Sequence, residues 1–216
     1  MNFFLTIKTE IQKIWQVKSN RTIIKDTLLF FVATITFHIL YWNANMNTWI
    51  FGPYTKEVFD FFTNLVYKAS TPFISLFTNR SFDIADTSYY FYTLSEEGVK
   101  QYYAIMTVID DCSGVKQLLQ WALVMILCRG KWFGKIFYYL FGAIILLFAN
   151  ILRVLILTGI FSVNASLFHP IHDWVARPAM YVIIFVMWLF WLSLIDKKKA
   201  KKEEKLQEKI KYQEKR

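Results

Sequence analysis

The sequence predicts an all-α integral membrane protein of about four transmembrane helices. An amphipathic or re-entrant helix and a small extracellular β-hairpin are expected in its outer loop. Three observations lead there. Hydrophobic residues make up 56% of the 216 positions, above the roughly 45 to 50% apolar share of an ordinary soluble domain. Apolar runs recur at or near the length of about 17 to 25 residues that crosses a hydrocarbon core. Lysine and arginine gather in alternate segments between and beside those runs, as they do on the cytoplasmic side of a membrane.

Residues 1–22 read as a cytoplasmic amphipathic arm. Phe4, Ile7, Ile11, Ile14 and Trp15 recur at helical spacing, which suits a helix lying on the membrane surface. The arm lacks the apolar core and small-residue cleavage site of a signal peptide, so the first transmembrane helix, residues 23–42, is expected to stay as an anchor.

Residues 43–111 form an outer loop region. Between Tyr54 and Phe77, Val58, Phe62, Leu65, Val66 and Ala69 recur at intervals of three and four, and Pro72 is placed to end or kink the helix. Lys56, Asp60 and Lys68 interrupt the apolar face, favouring an interfacial or re-entrant helix over a further span. The stretches SYYFYTL and YYAIMTVI are rich in aromatic and β-branched residues, and SEEG between them supplies a turn.

Residues 112–195 form a membrane core with three transmembrane helices, carried by Val115 to Cys128, Ile136 to Phe161 and Met180 to Ile195. Residues 196–216 are a basic cytoplasmic tail. Cations in the arm, in the link holding Arg129, Lys131 and Lys135, and in the tail place both termini in the cytoplasm. The formal charge of +9 thus marks topology and contact with an anionic leaflet. It is no sign of nucleic-acid binding, because the tail interleaves Glu with Lys as solvated helices do.

Chemistry-bearing residues fall at one membrane level. Cys112 precedes the second span, with Ser113 and Gly114 suited to its first turn. Unpaired N–H groups and the helix dipole there lower a thiol pKa, while Asp110 and Asp111 oppose this unless solvated or paired with Lys116, so the balance stays open. Arg153 lies nineteen residues beyond Gly134, about 28 Å along a helix and so level with Cys112. An ionisable residue inside such a span is a site candidate by default, with snorkelling to headgroups as the alternative. Asn150, three residues earlier, shares its face. His169 and His172 sit in the last outer loop, FHPIHDW. Cys128 and His38 are expected to be packing residues, and the two cysteines are about a bilayer apart, too far for a disulfide. His169, His172 and Cys112 could supply three metal ligands, but Pro170 and a neighbouring arginine argue against it. A thiol redox protein would be expected to pair its outer cysteines.

The ordered set DDCSG, NILR and HD resembles the exosortase/archaeosortase family of membrane cysteine transpeptidases, over about residues 105 to 190. Many members have about eight spans, and the four expected here resemble the shortened forms. The resemblance implies a catalytic membrane core with Cys112 as nucleophile, Arg153 as the family arginine and a histidine as the third member. His172, followed by Asp173 and Trp174, fits that position better than His169. Asn150, Ser113, Gly114 and His169 would support the site or bind substrate. The implied activity is that of a membrane-embedded cysteine protease or transpeptidase acting at the outer face of the plasma (inner) membrane. It would cleave the C-terminal sorting signal of an exported protein through a thioacyl intermediate, with no metal or organic cofactor. Its partners would be that exported substrate, with its C-terminal transmembrane segment, and the lipid bilayer, and no nucleic acid; the acyl acceptor and oligomeric state stay open. Two other readings are a noncatalytic scaffold of a surface-protein or polysaccharide export system, and a small anion-handling transporter using Arg153.

Overall fold

The structure, a computed structural model, describes residues 18–44 and 46–214. The Phe4 to Trp15 stripe of the expected amphipathic arm lies outside the described residues. In chain order, helix α1 (Lys18–Asn43) is followed by α2 (Met46–Phe51), α3 (Thr55–Ser70) and the one-turn α4 (Ile74–Phe77). Strands β1 (Ser81–Ala85), β2 (Ser88–Leu94) and β3 (Lys100–Thr107) come next. A 3-10 turn, Asp110–Cys112, leads to α5 (Val115–Leu127) and then α6 (Trp132–Val163). The one-turn α7 (Phe168–Ile171) and a π-helical turn, His172–Ala176, run into α8 (Arg177–Glu214).

Three stretches are long and apolar enough to cross a membrane: Thr22–Asn43, Trp132–Val163 and Ala165–Lys202. The fourth expected span is shorter. Helix α5 has 13 residues, a rise of about 20 Å against a hydrocarbon core of about 30 Å. Glycines limit it at both ends. Gly114 (φ +83°) and Gly130 (φ +128°) take backbone conformations that L side chains rarely adopt, so the helix cannot extend through either.

A first apolar cluster joins these four helices, with Phe30 of α1, Trp121 of α5, Leu146 of α6 and Trp188 of α8 among its buried members. At its far end Arg129 pairs with Asp26 at 2.6 Å, and Trp191 donates its indole N–H to the Arg129 carbonyl at 2.9 Å. A second cluster lies at the opposite end of α6. With 32 residues, α6 rises about 48 Å, more than a hydrocarbon core needs. Its final turns carry a cap in which Val154, Leu155 and Leu157 pack with Val66, Ile74, Tyr89 and Phe91.

The cap corresponds to the expected outer loop region. Helix α3 is amphipathic as expected and buries Phe59, Thr63, Val66, Tyr67 and Ser70. That stripe meets the expected one at Val66. Val58 and Phe62 instead join a third cluster with Phe37, Tyr41 and Val115, so α3 is packed along two lines. Pro72 sits in a 3-10 turn after its last residue, where a missing N–H costs least. The expected hairpin is β2 with β3, within a three-stranded antiparallel sheet ordered β1-β2-β3. Strand β1 was not expected; it pairs Ser81 to Ala85 with Tyr92 to Ser88 through a tight turn at Asp86 (φ 52°). Tyr89 and Phe91 of β2 are fully buried while Tyr90 is half-buried, the period of two that turns one sheet face onto α6.

Two contacts clamp cap to core. The hydroxyls of Thr78 and Ser162 hydrogen-bond at 2.7 Å, and a Cβ on Gly159 would collide with the Phe77 backbone carbonyl. A backbone obstacle cannot rotate away. Gly159→Ala is therefore expected to destabilise the protein by about 1 to 3 kcal/mol, as overpacking does, seen as a lower Tm in detergent. An unchanged Tm would show that α4 does not seat on α6 this closely.

Candidate functional site

Cys112 ends the 3-10 turn that drops from the sheet into the helices. It is buried, and its side chain belongs to the cap cluster with Val66, Tyr89 and Val154. Its main chain is held from α6: Asn150 donates its amide N–H to the Cys112 carbonyl at 2.7 Å. Asn150 is fully buried. A Cβ on Gly114 would lie 3.1 Å from that same amide nitrogen, so glycine is needed there both for its positive φ and for space. Ser113 is buried, and its hydroxyl accepts from the Val115 N–H at 3.3 Å. The Cys-Ser-Gly run is thus a turn with a thiol, a capping hydroxyl and a left-handed glycine in consecutive positions, its Cys112 carbonyl held by Asn150.

Arg153 lies one turn further along α6 and is 7% exposed. Its Nη2 donates to His172 Nε2 at 2.8 Å. A guanidinium has only donors, so Nε2 must be the accepting nitrogen. His172 Nδ1 then carries the proton and donates to Asp173 Oδ1 at 2.8 Å. Asp173 in turn meets Arg177 Nη1 at 3.2 Å. The imidazole plane is fixed by Phe168, stacked on it with centroids 5.4 Å apart and 12° between planes. Among the described residues Arg153 has no carboxylate within 4 Å, and its Nε has no partner. A buried, permanent cation without a counter-ion favours a nearby anion, and Arg153 lowers the Cys112 pKa.

Burial nevertheless has the larger effect on the thiol. It pushes Cys112 above the ordinary thiol range, with Asp111 adding to the rise, while Arg153 and a backbone hydrogen bond at Ile109 oppose it. The balance left open by sequence falls on the protonated side.

Six of the seven expected site residues come together: Cys112, Ser113, Gly114, Asn150, Arg153 and His172. His169 does not join them; it is exposed on α7 and sets its ring edgewise against Phe168. Cys128 lies at the other end of α5, beside Arg129 and Trp188. His38 departs from its expected packing role. It faces a cavity of about 290 Å³, lined also by Tyr41, Trp42, Lys116, Gln117, Arg153 and Tyr181. His38 Nδ1 is 3.1 Å from the Tyr181 hydroxyl, and Lys116 rests over the Trp42 ring at 4.5 Å. The sequence held a signal for this face, since His38, Tyr41 and Trp42 are spaced as neighbours on one side of a helix. Among the described residues no group of three or more His, Cys, Asp or Glu is placed to hold a metal ion.

Fold and site together define an integral membrane protein whose buried Cys, Arg and His are gathered at one end of its long apolar helices. The family model described as Transmembrane exosortase (Exosortase_EpsH) matches residues 60–200, a stretch that contains the cap from Asp60 onward, the cysteine turn, Arg153 and His172. The chain belongs to the transmembrane exosortase family. Neither the curated proteins nor the solved structures give a match.

The raised thiol pKa sets a pH dependence. Thiolate fraction increases with pH, so the alkylation rate of Cys112 in the intact protein should reach its midpoint above about pH 8.5, where an ordinary cysteine is half-ionised. Arg153→Gln removes the opposing charge and should move the profile further upward, slowing alkylation at any fixed pH below the plateau. Rates followed by mass spectrometry whose midpoint falls at the ordinary value would show that burial does not govern this thiol.

Proposed function

We propose that this chain is a cysteine transpeptidase or peptidase that cleaves the C-terminal sorting signal of an exported protein, just before that substrate's own transmembrane segment. The observation that supports it most is the hydrogen-bonded run from Arg153 through His172 to Asp173, set beside a cysteine turn that Asn150 holds by its carbonyl.

In this reading the Cys112 proton passes to His172 Nε2 as Arg153 releases that nitrogen and swings its donors towards the reacting carbonyl. The sulfur attacks the carbonyl carbon, and the guanidinium takes up the oxyanion charge, as fixed donors do well in a low-dielectric site. Collapse breaks the C–N bond, the leaving amine takes the proton from His172, and a thioester remains on Cys112. An incoming water, amine or lipid headgroup then gives its proton to His172 and displaces the thiol. Asp173 steadies the imidazolium formed midway through each half-reaction. The resting protonation fits this order, because His172 already carries its proton on Nδ1 and needs only its Nε2 lone pair.

The site is assigned to the outer face of the membrane, and both termini to the cytoplasm, on the distribution of Lys and Arg. The short α5 is taken as a fourth crossing, from the cysteine turn to Arg129. A membrane-impermeant thiol reagent applied to intact cells should then reach Cys112 and never Cys128; the opposite labelling would invert the protein and discard the site's placement.

Cys112→Ala should leave the protein abundant and inserted while an uncleaved exported protein, still carrying its membrane tail, accumulates. Arg153→Lys should fail as well, because an ammonium keeps the charge but loses the planar fork of donors. His172→Ala should cost the roughly 10² to 10⁴ of a positioned acid/base, and His169→Ala about tenfold at most. Normal processing in Cys112→Ala would leave the scaffold reading in possession of the site.

A further inference from the structure

The cavity beside Arg153 contains polar groups that the proposed chemistry does not use. Gln117, on α5, is 9% exposed and lines it, and its Oε1 has no hydrogen-bond partner. Arg153 lines the same cavity with its Nε–H equally unpartnered. Buried polar atoms are almost always satisfied, and unsatisfied ones need an explanation. Here a residue with an unpaired acceptor and a residue with an unpaired donor both line the same cavity.

The cavity is larger than a bridging water requires. Its volume of about 290 Å³ compares with roughly 30 Å³ for a water's share of liquid volume, and it approaches the lower end of small-ligand pockets. Its charges are balanced: Asp110, Asp111 and Asp173 against Lys116, Arg153 and Arg177. Such a lining suits a neutral polar group better than an anion. Tyr41, Trp42, Pro178 and Tyr181 add apolar wall. A peptide unit offers what the orphans lack, one N–H donor and one C=O acceptor on a neutral group.

We infer that this cavity is a subsite for the peptide backbone next to the scissile bond, with Gln117 Oε1 accepting the N–H of one substrate peptide unit and the Arg153 side receiving its carbonyl. The inference rests on the function proposed above, and makes Gln117 a binding residue for it. Gln117 reads main chain, so it helps any extended segment irrespective of side chain. Specificity for particular side chains then falls to the aromatic wall.

Two small electrophiles test this on the full-length protein in detergent. N-acetylglycine chloromethyl ketone carries a peptide N–H, and its N-methyl counterpart does not. Alkylation of Cys112 by each is followed by peptide mass mapping, with free cysteine giving the intrinsic rate ratio. Methyl methanethiosulfonate, which needs no subsite, reports that the thiol is intact and reachable. The native chain should prefer the N–H compound by about three- to tenfold beyond the intrinsic ratio, the range of a single hydrogen bond. Gln117→Met, similar in volume but without a strong acceptor, should lose that preference, and Gln117→Glu should keep it. Methyl methanethiosulfonate should modify the native and Gln117→Met proteins at closely similar rates, and its rate in Gln117→Glu normalises for the effect of the added carboxylate on the thiol.

An equal preference in native and Gln117→Met proteins, with thiosulfonate labelling intact, overturns the subsite and leaves the proposed function standing. A Cys112 inert to methyl methanethiosulfonate overturns both. If millimolar inorganic phosphate slows alkylation and Lys116→Ala abolishes that protection, the cavity is an anion site and the backbone assignment is wrong.

Discussion

Arg153 is a permanent cation in the interior of an apolar helix, with a neutral imidazole as its hydrogen-bonded partner and no carboxylate within ion-pair distance among the described residues. Removing such a charge from water is expensive unless it is paired or hydrogen-bonded, and much of this end of the bundle answers that requirement. His172 presents an acceptor to it, Asp173 fixes the tautomer that makes His172 an acceptor, and Phe168 holds the ring in plane. Each of these residues follows the last turn of α6, so the chain closes back on its own arginine within nineteen residues. The remaining demand is for negative charge. Arg153 accordingly favours the ionised form of the Cys112 thiol, against the larger effect of burial.

The length of α6 gives this arrangement its mechanical basis. A helix that ended at the hydrocarbon boundary would leave Arg153 at its exposed rim. Instead α6 continues about ten residues past it, and α3, α4 and the sheet pack on that extension. The same helix therefore positions Arg153, holds the Cys112 carbonyl through Asn150 and carries the cap that buries the thiol. Cap and site are coupled through one rigid element, and the 3-10 turn is tied to both.

Much of the site was legible because its residues violate local expectation: an arginine within an apolar run, and a cysteine and glycine where a helix should start. The choice between His169 and His172 could be argued from their neighbours, and burial and the bond to Arg153 place His172 in the cluster. What could not be read from sequence were quantities that depend on assembly. The Cys112 thiol is displaced upward because it is buried within the apolar cluster of the cap, and no local motif reports that. His38 looked like a packing residue because its own helix is apolar; its polar neighbours, Lys116 and Tyr181, come from α5 and α8. Strand β1 escaped notice because its alternation, with Phe82 and Ile84 set between Ser81, Asp83 and Ala85, spans only five residues, and so short a strand is stabilised by its partner more than by propensity. Hydropathy also does not register that α5 is held to 13 residues between Gly114 and Gly130, shorter than the other three candidate spans.

The spacing of the two polar layers explains why burial matters so much here. On α1, Asp26 belongs to one layer and His38 to the other, twelve residues or about 18 Å apart along the axis. On α8, Tyr181 and Asp196 are separated by fifteen residues, about 22 Å. Helix tilt only shortens these distances across the membrane. A hydrocarbon core is about 30 Å thick, so at least one of the two layers lies below headgroup level. The Asp26–Arg129 layer is compact, with Arg129 meeting Asp26 at 2.6 Å and Asp196 at 3.6 Å and Trp191 bonded to its carbonyl, and it can snorkel or draw headgroups inward. The Arg153 layer is broad and holds six charged side chains around a cavity. A layer of that kind cannot be exposed to lipid, and it does not need to be: the protein supplies its own polar interior, in which three carboxylates face three cations.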